Sequence, residues 1–81
     1  MNLQEIQSDN FLDARGLSCP MPLLKTKKTL KNMNSGEVLE LWGTDPGTKN
    51  DLSDYCKRNN NEFLGYLDLE EGYTKFYIKV G

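Results

Sequence analysis

Histidine is absent from this 81-residue sequence, and cysteine occurs only twice, at Cys19 and Cys56. Without histidine, the chain has no Cys–His catalytic pair, histidine general base or histidine metal ligand. Two cysteines are too few for a zinc site and for a disulfide framework. We therefore expect no metal and no cofactor. The lack of a C-x-x-C pair also argues against a thiol–disulfide redox protein, although a reversible Cys19–Cys56 bond would keep that function open.

Long apolar runs and a strong charge excess are also missing. No stretch of about 20 apolar residues occurs, so the sequence predicts no membrane span. The first residues lack the basic and apolar regions of a secretory signal. Ten basic and twelve acidic residues give a net charge of −2, whereas a dedicated nucleic-acid binder usually carries a basic excess. We expect a cytoplasmic protein with reduced thiols that binds no membrane and no nucleic acid directly.

The length of the chain fits a single small domain. A chain of this size buries only about 60% of the surface that its unfolded form exposes, so its core is thin. Residues 1–9 are expected to form a flexible lead-in, followed by one domain over residues 10–81. There is no room for a deep catalytic chamber. We therefore expect a monomer whose reactive group lies at the surface and works with a partner protein.

The predicted elements follow the order β-α-β-α-β-β. Leu23, Thr26, Leu30 and Met33 share one face at helical spacing and predict a first helix from Met21 or Pro22 that stops at 34–36. Thr48 and Asp51 resemble a capping box, so a second helix should begin at Thr48 and end before 59–61. The predicted strands are 10–13, 37–42, 62–69 and 73–80, with a hairpin turn at 70–72. These elements predict an α+β two-layer sandwich, with both helices on one face of a four-stranded mixed sheet.

Cys19 directly precedes the first predicted helix, in the segment Cys19-Pro20-Met21-Pro22. The N-terminus of a helix carries a partial positive charge and free backbone N–H groups, which stabilise an anion. The thiolate is the reactive form of cysteine, and the first turn contains no acidic residue to compete for this charge. We therefore predict a reactive, solvent-facing Cys19. The alternative is that Cys19 is a small buried hydrophobic residue.

Four neighbours are candidates for supporting the loop that carries Cys19. Pro20 biases Cys19 away from helical angles, and Pro22 suits the first helical turn. Gly16 permits a tight turn that leads into the loop. Arg15 can add positive charge if the loop folds back.

The lysine-rich side of the first helix is a candidate partner surface. Lys25 and Lys28 either form a solvated face or steer an acidic patch of a partner toward the site. Leu24 projects to the same side, where it is either half-buried at the sheet margin or an exposed contact. Cys56 lies on the apolar stripe of the second helix with Leu52 and Tyr55, which favours a structural role.

The sequence from Asp13 to Pro22, Asp-Ala-Arg-Gly-Leu-Ser-Cys-Pro-Met-Pro, resembles the signature of the TusA (SirA-like) sulfur-carrier family. Segments 45–48, 70–73 and 76–78 are also similar to that family. The resemblance implies a β-α-β-α-β-β sandwich in which Cys19 accepts sulfane sulfur as a persulfide. It implies a cysteine desulfurase or rhodanese-type donor and a downstream acceptor protein, in relays serving tRNA thiolation, cofactor synthesis or sulfur metabolism.

Two departures from that family leave the C-P-x-P element unchanged. Asn59-Asn60-Asn61 stands where a histidine is frequent, and Tyr55 stands where tryptophan is common. A different function also stays open, a non-catalytic regulatory or interaction module that uses the same surface. The pKa of Cys19, measured by alkylation against pH, distinguishes this module from a carrier.

Overall fold

The computed structural model describes residues 8–18 and 20–81, and in that part the elements follow the predicted order. The strands are β1 (Asn10–Ala14), β2 (Val38–Gly43), β3 (Glu62–Asp68) and β4 (Thr74–Lys79), and the helices are α1 (Met21–Lys31) and α2 (Thr48–Arg58). Every strand lies within one residue of its prediction at either end. Across the described ranges, no helix combines the length and apolar character needed to cross a bilayer.

The sheet has the order β1-β2-β4-β3, with β1 parallel to β2 and the other two pairs antiparallel. Ala14 pairs with Gly43, and Gly43 pairs with Thr74. The ends of β1 and β2 and the start of β4 therefore lie together, and we call this the loop end of the sheet. Both helices begin from it, because α1 follows β1 and α2 follows β2.

The core lies between the two helices and one face of the sheet. It is formed by residues at most 4% exposed: Ala14, Leu30, Leu39, Leu41, Leu52, Cys56, Phe76 and Ile78. The alternate residues of β2 and β4 point to the other face, which we call the open face. There the register places Trp42 beside Asp13 of β1 and Lys75 of β4. The predicted α+β two-layer sandwich is confirmed.

The buried stripe of α1 largely follows the predicted spacing. Thr26 and Leu30 are buried, while Leu23 and Met33 are partly buried against the core. The Thr26 hydroxyl donates a hydrogen bond to the Pro22 carbonyl at 2.7 Å, which explains how a polar side chain fits in the core. Pro22, predicted only to suit the first helical turn, is itself buried.

The predicted capping box at the start of α2 is wrong. Gly47 is the N-cap, and Thr48 is the first helical residue, with a buried hydroxyl that has no hydrogen-bond partner in the described residues. Asp45 organises the helix start instead. Its Oδ2 accepts from the Gly47 N–H at 3.1 Å, and its carbonyl accepts from the Thr48 N–H at 3.2 Å. Asp51 lies in the first turn, where the helix dipole favours a carboxylate.

The C-terminus of α2 is closed by a residue in the left-handed conformation. Asn60 has a φ of 59°, the one positive value for a non-glycine residue in the described chain. The Asn61 N–H donates to the Cys56 carbonyl at 3.1 Å, which is the six-to-one bond of a Schellman motif. This turn directs the chain from α2 into β3.

Replacing Asn60 with glycine is expected to raise the free energy of unfolding by about 0.5–1 kcal/mol, because glycine adopts this conformation without a Cβ penalty. Urea denaturation followed by tryptophan fluorescence measures the change. Asn59→Gly is the matched control, since Asn59 has a φ of −120° and its Nδ2 donates to the Tyr55 carbonyl at 2.9 Å. That control should be destabilised. A lower midpoint for Asn60→Gly would contradict the prediction.

Candidate functional site

Cys19 lies outside the described residues, and its exposure and orientation therefore remain predictions. The residues on either side of it define the backbone of the site. The Met21 N–H donates to the Ser18 carbonyl at 2.9 Å, and the Leu24 N–H donates to the Pro20 carbonyl at 3.1 Å. The helix α1 begins at Met21, two positions after Cys19 in the sequence.

The N-terminus of α1 carries no negative side chain of its own. The helix begins at Met21, as predicted, and its N-cap is Pro20. In this described segment no side chain caps the helix, and the first turn has no acidic residue. Pro22 occupies the second helical position, where its missing N–H breaks no intrahelical bond. The partial positive charge of the helix is therefore left for a group outside it.

A tight turn connects β1 to the loop that contains Cys19. The Leu17 N–H donates to the Ala14 carbonyl at 3.3 Å, and Gly16 has a φ of +82°. A positive φ at the third residue is what a type II turn requires, and it favours glycine there. The Gly16 N–H also donates to Thr44 Oγ1 at 2.9 Å. This bond joins the Cys19 loop to the loop that follows β2.

Arg15 is fixed at the start of the same loop. Its Nε and Nη2 donate to the two carboxylate oxygens of Asp13, each at 2.9 Å, and its backbone N–H donates to Asp13 Oδ1 at 3.1 Å. These bonds raise the pKa of Arg15 and lower the pKa of Asp13. The guanidinium carbon lies 4.7 Å from the Trp42 ring centroid and 5.0 Å from that of Tyr73. Arg15 thus anchors the loop to the open face, with its charge matched by Asp13.

The candidate partner surface on α1 combines exposed apolar and basic side chains. Leu24 is 48% exposed, and Lys25 and Lys28 are also exposed. Met21, which sequence reasoning did not select, is 42% exposed and lies one turn before Leu24. Its position three residues before Leu24 was the signal that could have identified it. Lys27 differs, because it is half-buried with its Nζ 5.4 Å from the ring centroid of Tyr55 on α2.

Cys56 has the properties of a structural residue. It is 1% exposed and lies in the core cluster. Burial raises the pKa of its thiol to about 11, so the thiol is protonated at neutral pH. Residues 8–18 and 20–81 contain no group of three or more acidic or cysteine side chains that could hold a metal ion. Of the two cysteines, Cys56 is therefore assigned to the core, and Cys19 stays the candidate nucleophile.

We expect the burial of Cys56 to lower stability at alkaline pH. An unfolded cysteine has a pKa of about 8.5, so between that value and about 11 the unfolded chain has lost a proton that the folded chain keeps. Unfolding is therefore favoured as pH rises, by up to about 3 kcal/mol. Cys56→Ala should flatten this part of the profile, measured as urea midpoints from about pH 8 to about pH 10.5. Equal slopes for the two proteins would contradict the expectation.

Sequence comparisons identify relatives over nearly the whole chain. The family described as Sulfurtransferase TusA matches residues 10–80. YrkI of Bacillus subtilis is 43% identical over 76 residues, covering 94% of this chain and 100% of that protein. Sulfur carrier protein TusA of Allochromatium vinosum is 45% identical over 71 residues, covering 88% and 92%. YrkF of Bacillus subtilis is 52% identical over 70 residues, but the match spans only 37% of that protein.

A solved structure shows the same fold. The crystal structure of the SirA-like protein from Desulfitobacterium hafniense superposes with a TM-score of 0.78, covering 89% of this chain and 97% of that one. Sequence identity between the two is 23%, so this likeness supports the architecture alone. The family match and the identities above 40% over most of the chain support the relationship itself. The chain therefore belongs to the TusA (SirA-like) sulfur-carrier family.

Proposed function

We propose that this protein accepts sulfane sulfur as a persulfide on Cys19 and passes it to an acceptor protein. The observation that carries the proposal is the start of α1 at Met21, two residues after Cys19, with no acidic residue in its first turn. Family membership and the relative named as a sulfur carrier support the same role. Arg15, Gly16, Pro20 and Pro22 would maintain the loop that presents the thiol.

The N-terminus of α1 supports an anion at this site. α1 has no acidic residue in its first turn, whereas α2, which also starts from the loop end of the sheet, has Asp51 in its own first turn. Each helix N-terminus carries the equivalent of about half a positive charge. A nearby anion gains about 0.3–1 kcal/mol from such a terminus. This favours a thiolate over a thiol, and an ionised persulfide over a neutral one.

The proposed transfer requires only nucleophilic sulfur chemistry. The Cys19 thiolate attacks the terminal sulfur of a donor persulfide, a new S–S bond forms, and the donor S–S bond breaks to release the donor thiolate. The number of persulfides is unchanged, so no external oxidant or reductant is needed. Attack by an acceptor thiolate on the terminal sulfur then transfers that sulfur and restores the Cys19 thiolate.

The proposed transfer requires partner proteins that donate the sulfur and accept it. We expect the donor to be a cysteine desulfurase or a rhodanese-type protein, with a downstream acceptor in tRNA thiolation, cofactor synthesis or sulfur metabolism. The exposed side of α1, with Leu24, Lys25 and Lys28, is the proposed docking surface. A basic surface of this kind suits an acidic partner patch.

Intact-protein mass spectrometry tests the proposal. The chain is incubated with a cysteine desulfurase and cysteine, and in parallel with a rhodanese and thiosulfate. We expect at least one donor to add a single sulfur atom per chain, which a thiol reductant should remove. Samples without cysteine or thiosulfate serve as controls. If neither donor adds sulfur to the folded protein, the proposed function is wrong.

A further inference from the structure

We propose that Trp42 and Tyr73 are positioning residues for sulfur transfer, acting through Arg15 on the loop that carries Cys19. This inference rests on the proposed carrier function. The two rings lie 4.9 Å apart, measured between centroids, with their planes tilted by 36°. The Arg15 guanidinium lies within 5.0 Å of both centroids, so one cation contacts two aromatic faces. We call Arg15, Trp42 and Tyr73 the aromatic clamp.

The aromatic clamp joins three separate parts of the chain at the loop end. Arg15 directly follows β1, Trp42 lies in β2, and Tyr73 directly precedes β4. Arg15 is therefore held by aromatic contacts with two neighbouring segments as well as by the bidentate bond to Asp13. The residue after it, Gly16, is the one that hydrogen-bonds to Thr44. Fixing Arg15 thus fixes the start of the loop that contains Cys19, four residues further along the chain.

Trp42 is itself held in place and can act as a rigid support. Its indole N–H donates to Glu40 Oε2 at 2.7 Å. The Phe11 ring packs edge-on against it, with centroids 4.8 Å apart, and Lys75 Nζ lies 5.2 Å from its centroid. The guanidinium consequently stacks on a ring that has contacts on several sides. Such a support limits the conformations of the arginine.

The aromatic clamp lies outside the core, so its effect on the position of the Cys19 loop can be measured apart from the stability of the core. Trp42 lies on the open face, away from the buried cluster that α1 and α2 cover. Removing the Trp42 ring should increase the mobility of the Cys19 loop more than it lowers the stability of the fold. Small displacements of a reacting atom can reduce rates by up to about a hundredfold, so a partly loosened loop is expected to slow transfer about tenfold.

The kinetic test compares aromatic variants in sulfur uptake from a cysteine desulfurase. Trp42→Leu and Tyr73→Leu should each lower kcat about tenfold, with KM for the carrier within about twofold, because docking is assigned to α1. Tyr73→Phe keeps the ring and should retain wild-type kcat. Tyr66→Leu is the matched control, since it removes another cation–π contact, with Lys49 Nζ at 3.9 Å. Thermal midpoints of all variants are measured in parallel, and rates are taken well below them.

A lower kcat in Trp42→Leu and Tyr73→Leu, with kcat retained in Tyr73→Phe and in the control Tyr66→Leu, would support the positioning role. Wild-type kcat in both leucine variants, an equal loss in Tyr66→Leu, or failure of Tyr73→Phe to retain the rate would overturn it. A change confined to KM would also overturn it, because that result assigns the clamp to docking.

Amide exchange provides a readout that needs no sulfur donor. The Gly16 N–H, protected by Thr44 Oγ1, should exchange at least about fivefold faster in Trp42→Leu and Tyr73→Leu, whereas core amides such as that of Ile78 should not change. Unchanged exchange at Gly16 in both variants would overturn the inference. If the wild-type chain takes no sulfur from any donor, the proposed function fails on its own and the exchange result alone decides on the aromatic clamp.

Discussion

Replacing Cys19 with serine is expected to abolish sulfur uptake, whereas replacing Cys56 with alanine should leave one sulfur atom per chain. A serine hydroxyl is a poor nucleophile at neutral pH and cannot form a persulfide. Cys56 cannot substitute for Cys19, because its thiol is 1% exposed and is protonated at neutral pH. Mass spectrometry after incubation with a cysteine desulfurase and cysteine distinguishes the two variants.

Each variant must first be shown to be folded. Cys56→Ala removes a buried sulfur and should cost about 1–3 kcal/mol of stability, so uptake is measured only after a cooperative unfolding transition has been verified. Sulfur found on Cys56 in the folded Cys19→Ser protein would contradict the assignment. Equal uptake by the wild type and Cys19→Ser would exclude a carrier role for Cys19 and would assign the sulfur to Cys56.

Reversing two charges on α1 should reduce the second-order rate constant for sulfur uptake at least about tenfold at low salt. The double variant Lys25→Glu/Lys28→Glu changes the sign of the exposed surface next to the Cys19 loop. Charges of one sign near a binding site accelerate encounter with an oppositely charged partner, and salt screens this effect. The rate difference should therefore shrink at about 0.5 M salt, where the Debye length is below about 8 Å. Stopped-flow or quenched uptake measurements over a salt series provide the test.

The matched control has the same change in net charge at the far end of the domain. Lys57 and Lys79 are exposed, near the C-terminal ends of α2 and β4, so Lys57→Glu/Lys79→Glu should transfer sulfur at the wild-type rate. Alkylation of Cys19 by iodoacetamide tests whether the new glutamates act on the thiol itself. A rate loss that persists at high salt, or that the control variant shares, would exclude steering by this face.

The strands and helices were predictable because local patterns and tertiary burial agree. In β2, the alternation of Leu39 and Leu41 with Glu40 and Trp42 corresponds directly to one buried and one open face. In α1, the spacing of Thr26 and Leu30 determines the buried side. α2 begins at Thr48 as predicted, but its N-cap was not predictable in the same way. Thr48 has the residue type of a cap, but the turn made by Asp45 places Gly47 in that position.

Only those parts of the candidate site that are adjacent in sequence could be predicted. Cys19, its prolines and the start of α1 are adjacent in sequence, so the helix N-terminus next to the thiol follows from local rules. The contacts of Arg15 with Trp42 and Tyr73 depend on which strands pair and in what register. No spacing rule brings together residues 15, 42 and 73. Sequence reasoning could therefore identify Arg15 as a loop residue but not its supports.

The direction of the strands has a consequence for how this domain can be tethered. Asn10 pairs with Leu39, and Leu39 with Ile78, so the chain enters β1 and leaves β4 at the side of the sheet opposite the loop end. A covalent extension attached at either side of residues 10–80 would therefore start away from the thiol-bearing loop. Long relatives such as YrkF, of which the match spans 37%, are compatible with this layout. A fused or flexibly linked domain could thus share a polypeptide with the carrier without obstructing access to Cys19.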